Sequence, residues 1–337
     1  MSVRHCMEKR KLGRQGLAVS ALGLGCMGMS WAYGGADDAE SIRVIRHALD
    51  IGVDFLDTAE TYGPFTNEEL IGRALKGKRR ETVVIATKFA WKFGPNNEQI
   101  GLDSSPANIK KSIEGSLRRL GTSYIDLYYQ HRLDPNTRIE DTVGAMADLV
   151  KEGKVRYIGL SEVGPGTIRH AHKVHPLSAV QSEYSLWTCG LEEKVLPTLR
   201  ELGIGLVAYS PIGRGFLSGK IRSINDLSES DWRRNNPRFQ GENFQHNFKL
   251  TQIVEKIASG NRATAAQVAL AWVLRRGNDI VPIPGTRHIG HLDENVNALD
   301  LKLSEAAWSD LDREIRSFRI AGARYPEAAM KMLDTTE

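Results

Sequence analysis

The 337-residue sequence predicts a (β/α)8, or TIM, barrel with an N-terminal hairpin, a long loop after the seventh strand and an extra C-terminal helix. Three observations carry that prediction. Short apolar runs alternate with amphipathic helical stretches from end to end, the pair recurs eight times, and no compositional linker interrupts the series. Short strands flanked by helices call for a parallel sheet covered on its outer face, and eight even units favour closure over an open sheet.

Taken in order, a hairpin is expected over residues 11–20, followed by strands at 21–25, 54–57, 83–88, 125–130, 157–161, 179–183, 205–209 and 280–283. The helices between and after them are expected at 39–51, 67–75, 106–120, 139–152, 166–174, 192–202, 263–276 and 289–299. Ser105 followed by Pro106 reads as a cap with proline in the first turn, and Gly52, Gly121, Gly153 and Gly203 stand where helices should stop. The departure from even spacing is a polar excursion over 211–248 that carries Trp232, Arg233, Arg234, Arg238 and Phe239; a loop that long in a compact domain is usually functional. A further helix at 305–318 and a tail from Arg319 could cover part of the barrel mouth. Residues 1–337 read as one domain, with its core at about 11–311 and the C-terminal helix and tail at 305–337.

Composition narrows the function classes. Charged residues make up 26% and hydrophobic ones 41%, which excludes a disordered or collagenous polymer. Lys plus Arg number 45 against 41 for Asp plus Glu, a balance of +4 that is too even to imply nucleic acid but tolerates a local anion site. Cys6, Cys26 and Cys189 form no paired spacing, which suits a reducing compartment and makes the cytoplasm the expected location. The uncharged stretch 15–36 follows a basic segment, but glycines interrupt it too often for a signal peptide or membrane span. No membrane partner is expected, and both a monomer and a homo-oligomer are compatible with the sequence.

In a barrel of this kind the chemistry sits at the C-terminal ends of the strands. Asp57, Lys88 and His131 fall at the ends of neighbouring strands, with Tyr62 just beyond the second, and these are the residue types a proton-transfer site needs. Gly23-Leu24-Gly25-Cys26-Met27-Gly28 spells a GxGxxG dinucleotide fingerprint, yet no helical period opens at its last glycine. It is read instead as a first barrel strand with small residues near a ligand. His170, His172, His175, His288 and His291 lack the companions that would complete a metal site, so no metal is expected.

The sequence resembles the aldo-keto reductase superfamily, most closely its plant and bacterial branch with perakine-reductase-like and auxin-induced-protein-like members. The matching segments, in order, are RKLGRQGLAVSALGLGCMGMS, GVDFLDTAETYG, VIATKF, LGTSYIDLYYQHR, GKVRYIGLSE, QSEYSLW, GIGLVAYSPIGRGFLSGK and VPIPGTRHIGHLDENVNAL. The resemblance implies NADPH-dependent reduction of aldehydes, and of some ketones, without a Rossmann domain. Tyr62 would be the general acid, Lys88 would lower its pKa, Asp57 would hold Lys88, and His131 would orient the carbonyl. Ser161 and Gln181 would bind the nicotinamide carboxamide, with Glu162 where several other branches have Asn, and Tyr209 would stack under the ring.

By the same resemblance Ser210, Pro211, Gly213, Arg214, Gly215, Leu217, Gly219 and Lys220 would line the pyrophosphate, while Gly285, Thr286, Arg287, His291, Glu294 and Asn295 would meet the adenosine end. Arg287 offers a planar cation suited to a 2′-phosphate, hence NADPH over NADH. His291 stands where the family more often has Gln. Met29, Trp31, Tyr33, Trp91, Phe93, Arg132 and Trp187 are expected around a small-molecule carbonyl substrate, and Arg132 could bias that pocket toward a polar or anionic group. The excursion at 232–239 would act as a flap over the diphosphate rather than a surface for single-stranded nucleic acid. The competing reading is an NADPH-binding regulatory subunit with little turnover, similar to the potassium-channel beta subunits.

Overall fold

The computed structural model describes residues 7–334 and 336, so Cys6 lies outside the described residues. The chain enters through an antiparallel hairpin, β1 (Lys9–Leu12) and β2 (Leu17–Ser20), in which Lys9 pairs with Ser20 and Leu12 with Leu17. Eight parallel strands follow: β3 (Leu24–Gly25), β4 (Phe55–Asp57), β5 (Val84–Phe89), β8 (Ile125–Gln130), β9 (Val155–Ser161), β10 (Ala179–Glu183), β11 (Gly205–Tyr209) and β12 (Ile280–Ile283). A parallel bridge between Gly25 and Gly285 joins the two ends of this sheet and closes the barrel.

The seam is narrow for a chemical reason. Pro282 and Pro284 have no N–H to donate, so their carbonyls accept from Gly23 and Gly25 at 3.0 and 3.2 Å while little is returned. A Cβ on Gly25 would sit 2.8 Å from the Ile283 carbonyl, and one on Gly23 would sit 2.7 Å from the Phe55 ring. Gly23 and Gly25 of the GxGxxG segment thus serve close strand approach.

Helices α1 (Asp38–Asp50), α2 (Thr66–Ala74), α3 (Pro106–Leu120), α4 (Ile139–Lys151), α5 (Pro165–Val174) and α6 (Val195–Leu202) cover the first six units. The expected signals act as read: Ser105 caps α3 by accepting from the Asn108 N–H with Pro106 in the first turn, and Gly121 ends that helix in the left-handed region. The barrel interior is filled by Phe55, Ala86, Leu127, Tyr129, Ala179, Val207 and Val281, and the hairpin residues Leu12, Leu17 and Val19 plug it from the N-terminal end. A larger core lies between strands and helices.

Three elements depart from the sequence reading. A second hairpin, β6 (Trp91–Phe93) and β7 (Gln99–Leu102), rises between β5 and α3. The excursion after β11 ends at residue 240, not 248, because α7 (Gly241–Gly260) begins there. The buried face of α7 includes Asn247 and Thr251, which hides its helical period from a polar-apolar reading; Asn247 spends its side chain on the backbone of Arg238 and Ala321. After α8 (Ala265–Leu274), α9 (Ile289–Val296) and α10 (Glu305–Ser317), the tail carries a short α11 (Glu327–Met330) and crosses the C-terminal end of the barrel. There the Asp334 N–H donates to the Glu162 carbonyl and the Asp334 carboxylate accepts from the Gly164 N–H. Among the described residues no helix is long and apolar enough to cross a membrane.

Candidate active site

The pairing register sets Asp57, Lys88, Ser161, Gln181 and Tyr209 in the layer where the strands end. Lys88, fully buried, donates from Nζ to Asp57 Oδ1 at 2.6 Å and to the Thr58 carbonyl at 2.8 Å, and lies 3.3 Å from the Tyr62 hydroxyl. Gln181 Nε2 donates to the other Asp57 oxygen at 2.7 Å, so the carboxylate is satisfied on both sides. The turn carrying Tyr62 is pinned by Asn67, which accepts from the Thr58 hydroxyl and donates to the Cys26 carbonyl and to Ser30. Asn67 is a positioning residue that sequence reasoning missed; its only signal was a polar residue on a buried helix face.

His131 follows β8, with its ring edge-on to Tyr62 at 5.9 Å and to Trp91 at 6.3 Å, while Trp31 stacks on Tyr62 at 6.1 Å. Its Nδ1 has no hydrogen-bond partner among the described residues. Burial, followed by the nearby cations Lys88 and Arg132, holds the imidazole well below its ordinary pKa, so it is neutral at pH 7. The resemblance implies that Lys88 lowers the Tyr62 pKa. It does pull in that direction, but burial outweighs it and the phenol lies above its ordinary value. Burial likewise pushes the Asp57 carboxyl up against the pull of Lys88, yet the short contact marks a buried ion pair. The phenol therefore keeps its proton at neutral pH, beside a cation that would favour its loss.

These groups open onto a cleft of about 620 Å³. Asp57, Tyr62 and His131 reach it, as do Trp31, Tyr33, Trp91 and Arg132. Along it lie Ser161, Gln181, Tyr209, Ser210, Pro211, Arg214, Gly215, Lys220, Gly285, Thr286, Arg287, His291, Glu294 and Asn295. Seven expected residues do not form its wall, Lys88 among them, fully buried behind it. Met29 is buried beneath it. Phe93 packs on Phe65 at 4.7 Å, and Trp187 stacks on Phe216 at 5.0 Å inside the core. Leu217 is also core, Gly213 abuts the Trp187 ring, and Gly219 faces Glu255. Around Met29, Phe93, Gly213, Leu217 and Gly219 the loops do reach the opening, through Gly28, Trp31, Trp91, Arg214, Ser218 and Lys220, while these residues themselves are taken up in packing.

At the far end Lys220 Nζ lies 3.0 Å from His291 Nε2 and 3.4 Å from Glu294. Arg287 hydrogen-bonds the carbonyls of Gly34 and Gly35. The excursion meets that same glycine-rich loop: the Trp232 N–H donates to the Ala32 carbonyl at 2.8 Å, and Arg233 lies over the Tyr33 ring. The two loops thus bridge the cleft.

The tail supplies wall residues that the sequence did not single out, Tyr325, Ala329 and Met332. Tyr325 and Tyr209 share a hydrogen bond at 2.6 Å, and Tyr209 also donates to Glu162 at 2.8 Å. Glu162, in left-handed backbone at φ 56, is ion-paired with Arg324. Burial raises its pKa, but Arg324 and Arg132 outweigh burial and keep it ionised. Ser210 and Arg214 are held in the same left-handed region, so strained backbone gathers on this side of the cleft. Because Arg324 fastens the tail to a buried carboxylate, Arg324→Ala should speed limited proteolysis within 319–334 while the barrel resists. Cleavage at the wild-type rate would show that the latch lies elsewhere.

A closed eight-stranded barrel with an Asp-Lys-Tyr-His cluster at its strand ends defines a class of barrel oxidoreductase. The Aldo/keto reductase family model matches residues 21–316, and the chain belongs to that family. It is 48% identical over 318 residues to "Probable aldo-keto reductase 1" of Glycine max, covering 94% of this chain and 91% of the relative. Among solved structures it is similar to the glycerol dehydrogenase AKR11B4 from Gluconobacter oxydans, with a TM-score of 0.84, 28% identity and coverage of 95% and 98% of the two chains. It is also similar to the thermostable aldo-keto reductase Tm1743, solved with the inhibitor epalrestat, with a TM-score of 0.72, 33% identity and coverage of 91% and 99%.

Proposed function

We propose that this single-domain protein reduces aldehydes, and some ketones, with NADPH in the cytoplasm, using Tyr62 as the proton donor. The observation that carries the reading is the Lys88 ammonium, set between Asp57 and the Tyr62 hydroxyl at the floor of the cleft. A carbonyl oxygen placed between Tyr62 and the neutral His131 would take hydrogen bonds from both. As negative charge grows on that oxygen the Tyr62 proton moves to it, and Lys88 favours the phenolate left behind.

The cleft suits a nicotinamide dinucleotide phosphate, which when bound supplies the hydride. Ser161 and Gln181, which line it, would hold the carboxamide, and Arg214 and Lys220 would meet the pyrophosphate. Arg287, with His291 nearby, offers cationic and polar donors for a 2′-phosphate. The bridging loops at 30–36 and 232–233 would have to part for exchange.

The test is absorbance-monitored NADPH oxidation against aromatic and aliphatic aldehydes, without added metal, beside paired titrations of NADPH and NADH. Turnover and an NADPH preference of about tenfold or more are expected, since the 2′-phosphate adds charge-assisted bonds. Tighter binding of NADH would refute the cofactor assignment, and cofactor binding with no aldehyde reduced would refute the reductase reading.

A further inference from the structure

We propose that Arg132 forms an anion subsite in this cleft, so that the favoured substrates are aromatic aldehydes bearing a carboxylate. The inference deepens the reductase reading and rests on it.

Arg132 stands immediately after His131 on the cleft wall. Its Nη1 donates to the His131 carbonyl at 3.0 Å and lies 3.5 Å from the Ser161 hydroxyl, and it makes no ion pair among the described residues. Those two contacts hold the guanidinium in place without neutralising it. Glu162 acts on it through space, but beyond ion-pair distance, and is itself paired with Arg324. Four guanidinium groups, those of Arg132, Arg214, Arg238 and Arg324, share two buried carboxylates, Glu162 and Glu183. Glu162 is engaged by Arg324, and Glu183 by Arg214 at 2.8 Å and Arg238 at 3.7 Å. Next door, Lys88 and Asp57 cancel each other. On this side of the barrel mouth four cations thus meet two carboxylates, and Arg132 is the one of the four with no carboxylate at ion-pair distance among the described residues.

The cofactor does not fill this role. Its phosphates would lie toward Arg214, Lys220 and Arg287, and the group expected beside Ser161 is a neutral carboxamide. An anion from the substrate would offset Arg132. A guanidinium presents a planar fork that matches a carboxylate in two parallel hydrogen bonds. The aromatic side chains of Trp31, Tyr62 and Trp91 line the same opening, which favours an aromatic ring between carbonyl and carboxylate.

The experiment compares para-carboxybenzaldehyde with its methyl ester, which has the same ring and carbonyl but no charge. In the wild type, kcat/KM should favour the acid by about tenfold or more; in Arg132→Gln that ratio should fall to about one, with part of it kept in Arg132→Lys. A wild-type ratio near one, or a ratio unchanged in Arg132→Gln, overturns the subsite and leaves the reductase reading standing. Should Arg132→Gln not fold, Arg132→Lys, which keeps the charge but loses the fork, gives the reading, and an unchanged ratio overturns the proposal. Should neither aldehyde be reduced, the reductase reading is what fails. Benzoate is then titrated against the NADP+-loaded protein by the fluorescence of Trp31 and Trp91. Saturable binding that weakens about tenfold in the Arg132 variants upholds the subsite, and no binding overturns it.

Discussion

Tyr62→Phe should cut turnover by about a hundred- to ten-thousand-fold, the usual contribution of a positioned general acid. The reasons lie in the surroundings of the hydroxyl. Among the described residues it is the one hydroxyl within hydrogen-bond reach of Lys88, and burial keeps it protonated at neutral pH. A phenylalanine ring retains the stacking on Trp31 and the edge contact with His131, so the fold and NADPH affinity should change little, within a few-fold. Lys88→Met is a harsher change, because it strands Asp57 as an unpaired buried carboxylate and should destabilise the chain as well as stop catalysis. Stopped-flow hydride transfer separates the two variants. Full turnover in folded Tyr62→Phe would remove Tyr62 from the mechanism.

Glu60→Gln should make the protein more stable above neutral pH. Glu60 is buried between β4 and α2, where burial and then the charge of Glu68 push its carboxyl up to about 8. Arg119 is the cation beside this pair, and it is already ion-paired with Glu68 at 2.6 Å, so Glu60 is left holding its proton. A carboxyl that binds its proton more tightly folded than unfolded contributes stability in full below the unfolded value of 4.5 and loses it as pH rises through about 8. That loss is on the order of a few kcal/mol. Glutamine is neutral throughout and keeps a polar group for Ser112 and the Ala90 N–H. Urea unfolding at about pH 5 and about pH 9 should therefore show a smaller fall in stability for the variant than for the wild type. Parallel curves would mean that Glu60 is ionised in the folded chain.

Much of the fold and of the site is legible in the sequence, because the strands that carry the site announce themselves. Residues 125–130, 179–183, 205–209 and 280–283 fall where expected, since buried parallel strands are short continuous apolar runs bounded by helix stops. Position then does the rest: a residue ending such a strand faces the mouth, and Asp57, Lys88 and His131 need no further clue. Legibility fails where loops choose their own path. Phe93 and Trp187 leave strand ends as Trp91 does, yet only Trp91 stays at the opening, and local sequence does not encode that turn. It fails again for Glu162 and Tyr209, whose respective partners Arg324 and Tyr325 lie more than a hundred positions away in sequence. The helix α7 is hidden by polar side chains used as internal glue, which look like solvent-facing residues in one dimension.

The seam of the barrel has a consequence for how the protein is made. Gly25 meets Gly285, and the Arg10 guanidinium donates to the carbonyls of Leu274, Gly277 and Ile280, the last of these 270 positions further along the chain. None of these contacts can form until nearly the whole polypeptide has left the ribosome. At about 5–20 residues per second, the first hairpin waits on the order of tens of seconds for its partners. During that interval Leu12, Leu17 and Val19 have no barrel floor to plug, and β3 and the newest strand stand as open edges. The nascent chain is therefore most exposed to misassembly just before its eighth strand emerges, and the two-residue strand at the seam offers a short edge for wrong pairing.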